Sequence, residues 1–95
     1  MKAEEFSKIT DDEFLKFDRI PEEQRLSSYP DVCGMMYLEK VLGKSPKNIN
    51  MVGSAEHDII CFDVSMENLT KEDAIYLGRC GIHADDEFDF LAKFC

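Results

Sequence analysis

The sequence predicts an α+β fold, with N-terminal helices packed on a small antiparallel sheet. Three observations carry that expectation. In SSYPDVCGMMYLEKVLGK, apolar residues recur at helical spacing between Pro30 and Gly43. The run HDIICFDV, residues 57–64, concentrates β-branched and aromatic residues as a strand does. Beyond Gly81 the period drops to two, with Phe88, Phe90, Ala92 and Phe94 alternating with Asp89, Leu91, Lys93 and Cys95. The chain has 95 residues, 44% hydrophobic and 33% charged. That size suits a single globular domain over 1–95 with a thin core, and the composition is too apolar for disorder.

The elements are expected in the following order. Thr10 and Glu13 have the spacing of a capping box, and Ile9 and Phe14 that of a hydrophobic staple, so a helix is expected to open at Thr10. Asp11 and Asp12 suit its first turn, and Phe14 and Phe17 share one face. Pro21 closes that helix and starts a second turn with Glu22 and Glu23. In the strongest helix, Pro30 fits the first turn and Gly43 the position past the end. Its Val32, Met35, Met36, Leu38, Val41 and Leu42 cover a broad face, which reads as a central buried helix. The Met35–Met36 pair also suits an adaptable binding surface, and core packing is the preferred reading.

SPKNINMVGSAEH has the Pro, Asn, Gly and Ser density of a loop. In the strand over 57–64, Ile59, Cys61 and Asp63 point one way and Ile60, Phe62 and Val64 the other. Helix 70–80 repeats the capping grammar with Thr70 and Asp73, packs through Ala74, Ile75, Leu77 and Gly78, and stops at Gly81. A hairpin over 81–95 completes the sheet and is expected to bury its phenylalanines against the helices. A helix from Asp86 onward is the rival, because Phe90, Leu91 and Phe94 also fit helical spacing.

Charge narrows the choice of partners. Twenty acidic residues against eleven basic ones give a net charge of −9. That field repels phosphate backbones and anionic membranes, and it favours fast association with basic protein surfaces. No stretch approaches the ~18 apolar residues of a membrane span, and the N-terminus lacks a secretory apolar run. A cytosolic protein with reduced thiols is expected. Cys33, Cys61, Cys80 and Cys95 form no C-x-x-C pair, so zinc has no local ligand knuckle. Three of the four sit where a small buried apolar residue fits.

Cys80 and His83 have C-x-x-H spacing, and His57 with Asp58 precedes a strand. Thiol, imidazole and carboxylate can ligate zinc or serve as nucleophile and base. Cys80 also closes a packed helix, where cysteine acts as a small hydrophobe, and that reading is preferred. Asp85, Asp86, Glu87 and Asp89 offer hard oxygens, but the central Gly and distal Glu of an EF-hand are missing. A solvated turn is the simpler reading of that run. As an exposed acidic surface it can also meet a basic protein groove. Phosphate-binding and nucleophile-elbow motifs are absent, so no cofactor, metal or catalytic residue is assigned.

AEHDII (Ala55 to Ile60) followed by LTKEDAIYLGRCGIHADDEFDFLAKF (Leu69 to Phe94) resembles the C-terminal half of small acidic proteins encoded by bacteriophages and prophages. The shared features are an AEHD strand, a T-x-E-D helix ending in RCG, and a D-x-E-x-D turn. The resemblance implies a mobile-element origin, in which short acidic proteins act as stoichiometric inhibitors of host systems, anti-CRISPR proteins among them.

The expected function is therefore a non-enzymatic inhibitor, acting in the host cytosol, that occupies a basic, nucleic-acid-facing surface of a host protein. Its partner-binding residues are expected to be Asp11, Asp12, Glu13, Asp85, Asp86, Glu87 and Asp89. Direct nucleic-acid or membrane binding is not expected, and monomer and homodimer both stay open. Two alternatives stand beside it: a structural or regulatory homo-oligomer joined through a sheet edge, and a metal- or thiol-dependent enzyme using His57, Cys80 and His83.

Overall fold

A computed structural model describes residues 1–42, 50–56, 58–85, 87 and 90–94. Helix α1 (Ala3–Thr10) is followed by single 3-10 turns at Phe17–Arg19 and Glu22–Gln24, then by helix α2 (Pro30–Leu42). Strands β1 (Val52–Glu56) and β2 (Ile59–Phe62) precede helix α3 (Lys71–Arg79), and strands β3 (Ile82–Asp85) and β4 (Phe90–Phe94) finish the chain. The four strands form one antiparallel sheet in the order β1-β2-β4-β3. The α+β class is as the sequence predicts. Two hairpins lie side by side with α3 crossing between them, and β2 and β4 occupy the centre.

One face of the sheet carries the helices. Phe62, Leu91 and Ile82 from the strands meet Phe6, Leu38 and Leu77 from the three helices, and all six are buried. Burying side chains of this size contributes about 1.5–3 kcal/mol each, so this layer is the main source of stability. In α3 the sequence rules and the structure agree. The Asp73 amide donates to Thr70 Oγ1 (3.2 Å) while the Thr70 amide donates to Asp73 Oδ2 (3.1 Å). Gly81 follows with φ of 90°, a left-handed conformation that ends the helix and turns the chain into β3.

The first helix corrects the expectation. Thr10 ends α1 rather than opening a helix. Its hydroxyl donates back to the Phe6 carbonyl (2.9 Å), and the residue is buried against α3. Ala3, Phe6 and Thr10 lie three and four residues apart and present one buried face, so apolar spacing upstream outweighs the downstream capping pattern. Asp11 to Leu15 form turns instead. Leu15 takes a left-handed φ of 63°, and its amide donates to the Gly78 carbonyl (3.0 Å). Pro21 does begin a second turn, the 3-10 turn over Glu22–Gln24.

Helix α2 begins at Pro30 as expected, but its burial is narrower than its composition suggests. Cys33, Gly34 and Leu38 are buried, whereas Val32 and Met36 are exposed. Gly43, its expected stop, lies outside the described residues. The presumed loop before residue 57 contains strand β1, whose pairing breaks register between Val52 and Ser54. Strand β2 is shorter than 57–64. The hairpin over 81–95 forms, with β4 inverted relative to expectation. Leu91 pairs with Phe62 and Ala84 and shares their core-facing side. Side chains alternate, so Phe90, Ala92 and Phe94 fall on the outer face. Phe94 is 57% exposed instead of buried, and Phe88 lies outside the described residues.

Candidate functional site: the outer face of the sheet

The inversion of β4 creates an apolar face with no described helix on it. Across its middle row, Cys61, Ala92 and His83 stand in register on β2, β4 and β3. Ile59 pairs with Phe94 at one end, and Asp85 pairs with Phe90 at the other. Ile59 and Phe94 are exposed, Phe90 and Cys61 half-buried, and Ala92 is covered by its larger neighbours. A row of three apolar side chains from two central strands is the kind of surface that marks a contact site.

His83 organises one side of this face. Its imidazole stacks on Phe94, with ring centroids 4.4 Å apart and planes 17° apart. Phe14 approaches it edge-on at 6.2 Å and 79°. Burial lowers the His83 pKa and the Asp85 carboxylate opposes that shift, so the ring is neutral at physiological pH. Its Nδ1 is buried with no hydrogen-bond partner. Phe14 belongs to the turn that follows α1, so that turn reaches His83 through its aromatic ring.

The sequence-predicted acidic residues divide accordingly. Asp11, Asp12 and Glu87 are exposed. Asp85 is half-buried on β3, and one of its oxygens accepts the Glu87 amide (2.9 Å). Glu13 differs: its carboxylate accepts hydrogen bonds from both Arg19 and Arg79 (3.0 Å to Arg79). Those two guanidinium groups hold its pKa below the usual carboxylate value. Glu13 thus ties the turn to α3, and its charge is already neutralised. Asp86 and Asp89 lie outside the described residues.

The thiol–imidazole pairing expected as an alternative does not assemble among the described residues. Cys80 is buried with Ile20 and Cys33, while His83 lies on the opposite side of the sheet. Cys61 shares the outer face with His83 but is separated from it by Ala92. Two strand spacings of ~4.8 Å put them well beyond the ~3 Å that proton transfer needs. His57 is outside the described residues, and no group of three metal-ligating side chains is found among those described.

The sequence pointed to the carboxylates and missed the aromatic face beside them. A signal was present in Ile59 and Cys61, which form the second, less apolar side of β2. No protein-family model, curated protein or solved structure matches this chain.

Proposed function

We propose that the chain is a protein-binding module whose outer sheet face docks on a basic protein surface with an apolar centre. The observation that carries this reading is the juxtaposition of Ile59, Phe90 and Phe94 with Asp85 at the end of the face, on a molecule of net charge −9 that also exposes Asp11 and Asp12. Apolar burial would supply affinity at the centre, and the carboxylates would steer approach and select for Lys- and Arg-rich partners. A partner that normally faces nucleic acid fits this chemistry. The resemblance to phage and prophage proteins supports the same role, a stoichiometric inhibitor acting in the host cytosol. Among the described residues no helix is long and apolar enough to cross a membrane.

The test uses three baits in affinity capture with quantitative mass spectrometry: the native chain, Phe94→Asp, and the double variant Asp11→Lys/Asp12→Lys. The expected result is a basic protein retained by the native chain, lost with Phe94→Asp, and bound more weakly by the double variant. Added salt is expected to slow its association. A partner retained undiminished by Phe94→Asp would sink the proposal. So would a stable homodimer, by light scattering, that Phe94→Asp splits, since a second copy would then own the face.

Helix α2 offers a second surface. Tyr29, Val32 and Met36 are exposed at spacings of three and four, which forms one stripe on the helix. Binding that ignores salt and is abolished by Met36→Asp would move the site there.

A further inference from the structure

Behind α2, on the far side of the molecule's core from the outer face, lies a group of polar side chains that the docking surface does not use. Cys33 stands in the first turn of α2, and Cys80 caps the end of α3. Both are buried, and their thiols contact each other. The approach of their backbones is close: a Cβ added at Gly34 would stand 3.1 Å from Cys80 Cβ. Around the Cys33 sulfur converge the Tyr76 hydroxyl (3.0 Å) and the backbone amides of Leu26 and Ser27. Two amides and a helix N-terminus are donors that stabilise a thiolate, while the phenol, whose proton goes to the Gln24 carbonyl, accepts from the neutral Cys33 thiol. Among the described residues no comparable donors face Cys80, whose thiol is held protonated by burial and by its neighbour. The two cysteines are therefore unequal: one is built to carry negative charge, and the other to keep its proton.

We propose that Cys33 and Cys80 form a peroxide-sensitive pair in which Cys33 attacks and Cys80 resolves. The Cys33 thiolate attacks one oxygen of hydrogen peroxide and breaks the O–O bond, which leaves Cys33 as a sulfenic acid and releases hydroxide. Cys80 sulfur then attacks the sulfenic sulfur. The S–S bond forms, and the departing hydroxyl takes the Cys80 proton and leaves as water. Two thiols are oxidised by two electrons, and one peroxide is reduced. Access comes through the segment between α1 and α2. Phe17, Ile20 and Leu26 cover the thiols, and only two single 3-10 turns give that stretch regular structure. Segments of this kind open locally at small cost. At its N-terminal end the Leu15 amide and the Glu13 carboxylate tie it to Gly78 and Arg79 of α3. Over the thiols its tie is the Tyr76 hydroxyl donating to the Gln24 carbonyl (2.8 Å), with Arg25 Nε donating to the Ile20 carbonyl (2.9 Å) inside the segment. The Tyr76 tie yields when the phenol turns to the thiolate.

The folded native chain is treated with hydrogen peroxide at neutral pH, capped with N-ethylmaleimide, and mapped by mass spectrometry without reduction. The expected result is loss of two of the four alkylatable thiols and a Cys33–Cys80 linked peptide. In Cys80→Ser, dimedone is expected to label Cys33. In Cys61→Ser the linked peptide is retained. The idea is overturned by a linkage through Cys61 or Cys95, by dimedone labelling at Cys80 in Cys33→Ser, or by native thiols that stay intact where free glutathione is consumed. Urea-unfolded chain is the reference, and a native product no more selective than its scrambled pairs also rejects the proposal.

Discussion

At Gly78 helices α1 and α3 pack closely against each other. A Cβ there would stand 2.6 Å from Thr10 Cγ2 and 2.8 Å from Thr10 Cβ. Thr10 cannot swing aside without breaking its bond to the Phe6 carbonyl. Gly78→Ala would gain up to about 1 kcal/mol of helix propensity. Against that, overpacking a fixed contact costs about 1–3 kcal/mol, so the variant is expected to lower the urea midpoint. Adding Thr10→Ser, which removes Cγ2, should recover part of the loss, and a strictly additive pair would contradict the contact. His83 carries a pH dependence whose sign follows from its burial. Its folded pKa lies below the ordinary 6.5, so the unfolded chain binds more protons between the two values. Stability is complete above pH ~6.5 and declines as pH falls through that window. His83→Phe keeps an aromatic ring against Phe94 and is expected to flatten the urea midpoint between roughly pH 5 and 7. Glu13 is linked to acid with the same sign but in a lower window: its depressed pKa makes its ion pairs a contribution present above pH ~4.5 and lost as pH falls below it.

Two stretches with the same capping grammar behave differently, and they show how much of the elements was legible. Thr70 with Asp73 caps a helix because Ala74, Leu77 and Gly78 follow at packing distance along one face. Thr10 with Glu13 caps nothing, because Ala3 and Phe6 already commit Thr10 to the helix before it. A cap contributes about 1 kcal/mol and cannot outweigh a buried aromatic. At Thr70 the box has a further tie, since the Tyr37 hydroxyl donates to Asp73 Oδ1 (2.8 Å) and Tyr37 stacks on Tyr76 (3.9 Å). Thr70→Ala should therefore cost about 1 kcal/mol and disturb α2 as well as α3, visible as faster amide exchange near Tyr37. The period of β4 was readable from sequence, but its phase was not. Phe90 and Phe94 outweigh Leu91 in hydrophobicity, yet pairing with Phe62 and Ala84 decides which side faces the helices. Strand β1 was hidden because VGSAE has little to distinguish it from a loop before its partner is known. The candidate face inherits these limits, for it consists of side chains whose direction depends on register.

At the scale of the whole molecule, the helices cover one side of a four-stranded sheet and leave the other bare. The protein is one layer short of a sandwich. Among the described residues nothing supplies the missing layer, so repulsion between molecules is what keeps such faces apart. The net charge of −9 provides it at neutral pH, and that repulsion disappears near the pI of about 4.5. Turbidity and light scattering against pH should show a solubility minimum there, shifted little by buffer identity. Phe94→Ser should shrink that minimum without a matching change in the urea midpoint, because the ring is largely exposed already. If Phe94→Ser precipitates as readily as the native chain, the bare face is not what makes the molecules adhere. The exposed sheet thus gives the protein's acidity a role besides the partner steering proposed above: it acts as a colloidal stabiliser, keeping in solution a surface that would otherwise find its own copies first.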